Sequence, residues 1–392
     1  EAMSTAHQIQ LTLPDGSARE YDAGTTGLQV AESIGKGLAK AAVAIELNGD
    51  VQSLQLPIGS SANIKIFTRD SKEGLEVLRH SAAHVLADAV KRMRPAAKLW
   101  KGPPVDDPRY GFYYDIDFGG KPITAEDLPK LEELMREIIK SNVPFVLSEL
   151  DRPAAIQLME QHNEDYKLAT IAKIPEDQSL TFYHSGDFVD LCKGPHVPST
   201  GKIGEGIAVL ALAGAYFGDN ADNKMLTRIY GHAFSDKKAM QAHRNNLEEA
   251  AKRDHRRLGV DLDLFSTMGD LGSGLILWHP KGGFVRHKVE EFWKNEHIRG
   301  GYDIVYSPHI AKSDLWQTSG HLDFYKESMY APIDIDGAEY LLKPMNCPFH
   351  VQIYKQKRRS YRELPFRWAE LGTVYRYENQ GSLHGLLRVR GF

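Results

Sequence analysis

Two short patterns carry most of the reactive side chains in the first half of the chain. His80 and His84 lie four residues apart, and Cys192 and His196 repeat that spacing, with Asp190 just ahead of them. Side chains four apart on a helix leave on the same side. Two imidazoles held that way can share a metal or a water. Imidazole and thiolate donors together suit zinc. The same groups without a metal make a hydrolytic pocket, where imidazoles position and activate water. The residue types leave both readings open.

A second constellation lies at residues 341–392. It opens with LLKPMNCPFH at 341–350, passes a basic run, and continues as ELPFRWAELGTVYRYE at 363–378. Arg376 and Glu378 end an apolar run, a Gly-rich turn follows, and a run at 386–392 returns with Arg388, Arg390 and Phe392. This predicts a hairpin with arginines and an aromatic at its ends. Arginine's planar fork matches phosphate oxygens, and a phenylalanine beside it would stack a base.

These residues need elements to hold them. Leu75, Leu78, Ala82, Val85, Leu86, Ala89 and Met93 recur at helical spacing, so an amphipathic helix over 75–93 would present both early histidines beside its apolar stripe. The run at 111–118 reads as a strand closed by Gly119 and Gly120, and 125–140 as a second amphipathic helix. Ahead of them, residues 9–67 read as a small α+β unit: a hairpin around Pro14, helical character over 30–41, and a strand at 43–47 ended by Asn48 and Gly49. Residues 236–257 are strongly charged and read as a solvated linker helix. Beyond 259 the pattern is a strand into a turn at 275–283, a helix at 284–297 with Val285, Val289, Phe292 and Trp293 inward, and a strand at 302–308 ended by Pro308.

The totals bound the answer. A chain of 392 residues holds two to four domains. Net charge is −4, so an RNA partner would meet local basic patches and not a globally basic surface. Cys192 and Cys347 are the only cysteines, which excludes a disulfide framework and suits a reducing, cytoplasmic setting. The longest apolar run, at 207–216, is too short to span a bilayer.

The 341–392 stretch resembles motif 2 of class II aminoacyl-tRNA synthetases. The run KPMNCP at 343–348 with LHGL at 383–386 is similar to the threonyl-tRNA synthetase family in particular. The resemblance extends over nearly the whole chain. Residues 80–84 and 190–196 resemble the editing domain of bacterial-type members, which is shared in outline with alanyl-tRNA synthetase. The N-terminal unit resembles the ubiquitin-like module of the same family.

The fold implied is α+β and multidomain: a β-grasp (ubiquitin-like, TGS-type) module at 7–69, an α+β editing domain at 70–232, a linker helix at 233–258, and at 259–392 part of a class II antiparallel-sheet catalytic domain. The activity implied is ATP-dependent joining of threonine to tRNA(Thr), with hydrolysis of seryl-tRNA(Thr) made in error. The resemblance carries His80, His84, Tyr114, Lys167, Asp190, Cys192 and His196 over as the editing set. It places Arg376, Glu378, Phe392 and, less directly, Arg388 on ATP. It puts Met345 at the threonine site and Cys347 on a zinc ion whose other ligands lie past Phe392. It also implies Mg²⁺ and a homodimer through the motif 1 region, at the 284–308 helix and strand. Because the sequence stops within motif 2, a chain cut short is expected, in which editing alone survives. The rival readings are a free-standing hydrolase acting in trans and a catalytically dead RNA-binding regulator.

A chemical argument links the two sites. A metal that takes threonine's amino and hydroxyl groups rejects valine, but serine differs by one methyl, worth only roughly 1–3 kcal/mol. A second, hydrolytic site is then needed. Two departures from the family pattern stand out. The run AGAYFGD at 213–219 lacks an arginine, and Phe349 replaces a common glycine, which would crowd its loop.

Overall fold

The computed structural model describes residues 7–267 and 270–392. It divides into two compact units, one ending at Leu247 and one starting at Glu248.

The first unit opens with strands β1 (Gln8–Thr12) and β2 (Ala18–Asp22), helices α1 (Gly27–Ile34) and α2 (Lys36–Ala41), and strands β3 (Ala42–Leu47), β4 (Asp50–Ser53) and β5 (Ala62–Thr68). They form one five-stranded sheet in the order β2-β1-β5-β3-β4, with β1 and β5 parallel and the other pairs antiparallel. The helical character expected over 30–41 is divided between two helices. Thr26 starts the first with a capping box to Gln29, and Gly35 both ends it and caps the second. Asn48 and Gly49 take positive φ values of 51° and 98°, as a tight hairpin turn between β3 and β4 requires.

Next come α3 (Lys72–Met93), β6 (Lys98–Leu99), β7 (Phe112–Asp117), α4 (Leu128–Ser141), β8 (Val146–Leu150), α5 (Arg152–Gln161), α6 (Asp165–Ile171), β9 (Leu180–Ser185), β10 (Phe188–Leu191), β11 (Ile207–Tyr216), β12 (Met225–Ala233) and α7 (Lys237–Lys252). The strands make two antiparallel sheets, β10-β9-β8 and β11-β12-β7-β6. Helix α3 is the centre of this region. Ser71 caps its start by accepting from the Gly74 N–H. Of the stripe read from sequence, Leu78, Ala82, Val85, Leu86 and Ala89 are buried and Leu75 and Met93 are half-buried, but Val77, Ser81, Ala83, His84, Ala87 and Asp88 are buried too. The reason is that α3 packs against β7 and β12 and also against α4, β3 and β5. One apolar core joins α3, α4 and β7 to Val43, Ala44 and Phe67 of the first sheet.

The second unit contains α8 (His255–Asp261), β13 (Phe265–Ser266), β14 (Leu277–Trp278), α9 (Pro280–Arg299), β15 (Asp303–Ile304), β16 (Ile310–Lys312), α10 (Ser313–Thr318), α11 (His321–Phe324), β17 (Ile333–Ile335), β18 (Ala338–Leu342), α12 (Cys347–Lys355) and β19 (Trp368–Ala369). Its sheets are small: an antiparallel pair β13-β14, a parallel pair β15-β19, and an antiparallel trio β16-β18-β17.

Several local expectations change here. The charged stretch at 236–257 is not one helix: α7 stops at Lys252, and Asp254 caps α8 through the Arg256 N–H. The turn expected at 280–283 is the first turn of α9, with Pro280 at a position where a helix has no use for its N–H. Val285, Val289 and Phe292 do not face inward: they are 55%, 62% and 66% exposed, and the Trp293 ring packs at a tilt against His297, with centroids 3.8 Å apart. Only Asp303–Ile304 of the run before Pro308 is strand. Phe349 does not crowd its loop, because its ring is buried with Trp316, Met329 and Leu341. Among the described residues, no helix is long and apolar enough to cross a membrane.

Candidate active site

Four elements bring the first constellation together. His80 and His84 come from the middle of α3. Tyr114 is the third residue of β7 and fully buried; a Cβ on Gly102 would lie 2.1 Å from its ring, so only glycine lets the chain pass there. Lys167 sits on the short α6. That helix is anchored by the preceding Glu164, whose carboxylate accepts from Lys91 Nζ at 2.8 Å and the Leu99 N–H at 2.6 Å. Asp190 is on β10, where alternation turns it to the same buried face as Phe188. Cys192 follows the strand end, and His196 lies in the loop beyond.

The seven residues converge. Cys192 Sγ is 3.3 Å from His80 Nε2 and 3.4 Å from His196 Nε2. The His196 ring centroid is 4.3 Å from that of His80 and 4.2 Å from that of His84. Tyr114 donates its hydroxyl hydrogen to Asp190 Oδ2 at 2.5 Å, and Lys167 Nζ stands 2.5 Å from Asp190 Oδ1 and 3.0 Å from the Tyr114 oxygen. A cavity of about 400 Å³ opens onto this set, lined by His80, His84, Trp100, Lys167, Asp190 and Cys192 among others.

Hydrogen bonding fixes the imidazole tautomers. His80 Nδ1 faces the Pro195 carbonyl at 3.2 Å, which can only accept, so that nitrogen carries the hydrogen. Ser81 Oγ gives its own hydrogen to the Val77 carbonyl, so His196 Nδ1, 3.0 Å away, must donate to it. Both Nε2 lone pairs therefore face one thiol, which has a single proton to offer. The pocket is richer in acceptors than in donors at that point. His84 Nδ1 is buried with no hydrogen-bond partner among the described residues.

The electrostatics divide the pocket in two. Burial pushes the His84 imidazole down to about 3 and lowers His80 and His196 as well, so all three rings are neutral near pH 7. Burial pushes the Cys192 thiol up to about 12, which keeps it protonated. Burial would also raise the Asp190 carboxyl, but the Lys167 charge and the bonds from Lys167 and Tyr114 outweigh it and hold it below its ordinary value. Tyr114 is raised by burial and by Asp190, so it stays a hydroxyl donor. The pocket thus holds neutral bases beside an ion pair that is almost wholly buried. A neutral imidazole can take a proton from water, and a fixed ammonium can stabilise an oxyanion.

The same geometry bears on metal. His80, His84, Cys192 and His196 each offer a ligand atom, all within 4.8 Å of one another, and His₃Cys is a donor set zinc accepts. Cys347 is different. It is exposed at the first turn of α12, and among the described residues it belongs to no group of three or more His, Cys, Asp or Glu ligands. One thiol alone does not make a zinc site.

The second constellation is looser. The expected hairpin at 373–392 pairs only over a short stretch: Val374 and Phe392 exchange backbone bonds of 2.7 and 3.1 Å, and the Arg376 N–H donates to the Arg390 carbonyl at 2.9 Å. Arg376 lies over the Phe392 ring at 5.3 Å and donates to the Pro344 carbonyl at 3.3 Å. Glu378 pairs with Arg388 at 2.8 Å, and its carbonyl accepts from Arg390 at 2.8–2.9 Å. Met345 Sδ is 3.4 Å from His321 Nε2. A cavity of about 390 Å³ in this unit is lined by Arg256, Phe265, Ser273, Gln380 and Gly385 among others, and by none of Arg376, Glu378, Arg388 and Phe392.

Sequence reasoning missed Ser81 and Glu164, which orient His196 and the lysine helix. Ser81 lies inside the 80–84 run, but its type signals no role there, and Glu164 belongs to no motif; only the fold brings each to its partner. Phe217, in the run that lacks the arginine, packs against Trp100 and Tyr166, each at 4.9 Å, beside the pocket rim.

Three domain families match separate parts of the chain. The TGS domain family matches residues 9–68, the threonyl and alanyl tRNA synthetase second additional domain matches 180–230, and the tRNA synthetase class II core domain (G, H, P, S and T) matches 330–392. A threonine–tRNA ligase from Magnetococcus marinus is 50% identical over 98% of this chain and 59% of its own length. One from Acidithiobacillus ferrooxidans is 51% identical over 97% of this chain and 58% of its own. The RNA binding domain of threonyl-tRNA synthetase from Cryptosporidium parvum is 43% identical over 36% of this chain and 35% of that one, with a TM-score of 0.35. The fold and the matched domains are those of a class II aminoacyl-tRNA synthetase with two N-terminal appendages. Within that class the chain belongs to the threonyl-tRNA synthetase family, and it spans a little under three-fifths of the length of the curated relatives it matches.

Proposed function

We propose that the pocket around His80, His84, Tyr114, Lys167, Asp190, Cys192 and His196 hydrolyses the ester of seryl-tRNA(Thr). The observation that carries this is the convergence of neutral imidazoles and a buried Lys167–Asp190 pair on one cavity. In this reading His80 positions and deprotonates the attacking water. Lys167 steadies the developing oxyanion, and Asp190 and Tyr114 hold Lys167 in place. The products are serine and free tRNA.

For the whole protein we propose ATP-dependent joining of threonine to tRNA(Thr). Arg376, Glu378, Arg388 and Phe392 would hold ATP with Mg²⁺, and Met345 would border the threonine. Cys347 would supply one ligand to a zinc ion. The arginine-bearing hairpin supports this, since two anions must meet when a carboxylate attacks a phosphate. A homodimer through α9 accords with its exposed apolar face, and a cytoplasmic location accords with two free cysteines.

Replacing His80 or Cys192 tests the hydrolytic reading. A hydrolase loses turnover of seryl-tRNA(Thr) while binding persists. Unchanged turnover in both variants would reject it. A second reading, zinc held by His80, His84, Cys192 and His196, is favoured by their spacing within 4.8 Å. Metal analysis of the purified chain, with Cys347 replaced, separates the two.

A further inference from the structure

We infer that the N-terminal β-grasp module braces the loop that carries His196 into this pocket, with Ser53 as the positioning residue that holds His196 against Cys192. The inference rests on the hydrolytic reading above.

Ser53 is the last residue of β4 and is 3% exposed, though it belongs to a module with a core of its own. Its hydroxyl oxygen accepts from the His196 N–H at 2.9 Å and lies 2.9 Å from the Tyr183 hydroxyl. Two residues on, Gln55 Nε2 donates to the Pro198 carbonyl at 2.6 Å. The module therefore grips the 196–198 loop at two points.

Tyr183 extends the grip. Its ring meets the His196 ring edge-on at 4.5 Å. At the loop's start Gly194 has φ +72°, and a Cβ there would lie 2.6 Å from the Tyr183 hydroxyl. Ser53 thus fixes His196 directly through its backbone and again through the tyrosine that packs on its ring. Ser81 secures the other end of the same ring. Without the Ser53 hydroxyl, the buried His196 N–H has no acceptor in place, and an unpaired buried donor is costly enough to move the loop. Moving it separates His196 Nε2 from Cys192 Sγ, now 3.4 Å apart. The module is also not hung on a tether, because Val43, Ala44 and Phe67 share the core of α3 and β7.

The test uses the full chain, Ser53→Ala, Gln55→Ala and His196→Ala, with seryl-tRNA(Thr) as substrate and hydrogen exchange as a second readout. Ser53→Ala should lower kcat for deacylation roughly tenfold with KM within about twofold, as expected for a misplaced group. Exchange over 194–198 should quicken while β1, β3 and β5 stay protected. Gln55→Ala should shift both readouts the same way by a smaller factor, which keeps the test alive if Ser53→Ala misfolds. In a His196→Ala background, Ser53→Ala should add little. Unchanged kcat and unchanged exchange at 194–198 would overturn the inference, as would a full additional loss in the His196→Ala background. A wild-type chain with no deacylation sinks the hydrolytic reading instead. The exchange data then still decide whether Ser53 holds the loop.

Discussion

The two constellations satisfy their charges in different ways. In the first unit His84, Lys167, Asp190 and His196 are each no more than 4% exposed, and they are held by one another and by serines on neighbouring elements. In the second, Arg388 is 57% exposed along its side chain and Phe392 is 52% exposed, and Glu378 spends its carboxylate on Arg388. The first is a set of buried groups in which the position of a single proton matters. The second is an open hairpin whose arginines lean on a carboxylate and on backbone carbonyls. A buried reactive group must be preorganised, because each unpaired charge there is costly. An exposed one can wait for its ligand.

The largest effect expected from this contrast is on the buried pair. Lys167→Met leaves Asp190 buried without its cation and should cost roughly 3–5 kcal/mol of stability. Adding Asp190→Asn should recover most of that stability but none of the turnover. Thermal denaturation and deacylation assays read the two separately. A full recovery of turnover would show that the pair is only structural.

Acid sharpens the contrast next. His84 and His232 are both held down to about 3, chiefly by burial. They are neutral when folded, while their unfolded forms take up protons near pH 6.5. The stability they contribute is therefore present above pH 6.5 and is lost as pH falls towards 3. Amide exchange across that range should show the first unit loosening. A flat response between pH 6.5 and 4 would contradict the burial argument.

Much of the first site is legible in the sequence. The spacing of His80 with His84 and of Cys192 with His196 points to shared chemistry, and the α3 stripe places the first pair beside a core. What stays hidden has no local signal. Glu164, Ser81 and Ser53 act on partners far along the chain, so periodicity cannot reveal them. The inward face expected of α9 fails for a physical reason: helical spacing of Val285, Val289 and Phe292 shows that a face is apolar, but not what covers it. The arginine hairpin, expected as two strands, is a short set of bridges, because the 377–389 segment folds into turns and side-chain bonds instead of a ladder.

Two smaller effects probe the second unit. Phe292→Glu on the open face of α9 should change monomer stability by less than about 0.5 kcal/mol. It should also abolish self-association in sedimentation runs. A large loss of stability would mean that the face is packed within the unit. Smallest of all, Arg388→Gln should barely shift the thermal midpoint, because an exposed ion pair contributes about 0–1 kcal/mol.

The central claim is most directly tested by timing ester loss from seryl-tRNA(Thr) and threonyl-tRNA(Thr) with the purified chain and its Lys167→Met/Asp190→Asn variant. The account predicts rapid loss of the seryl ester, slow loss of the threonyl ester, and no catalysis by the folded double variant. Equal rates for both esters, or full activity in the double variant, would contradict it.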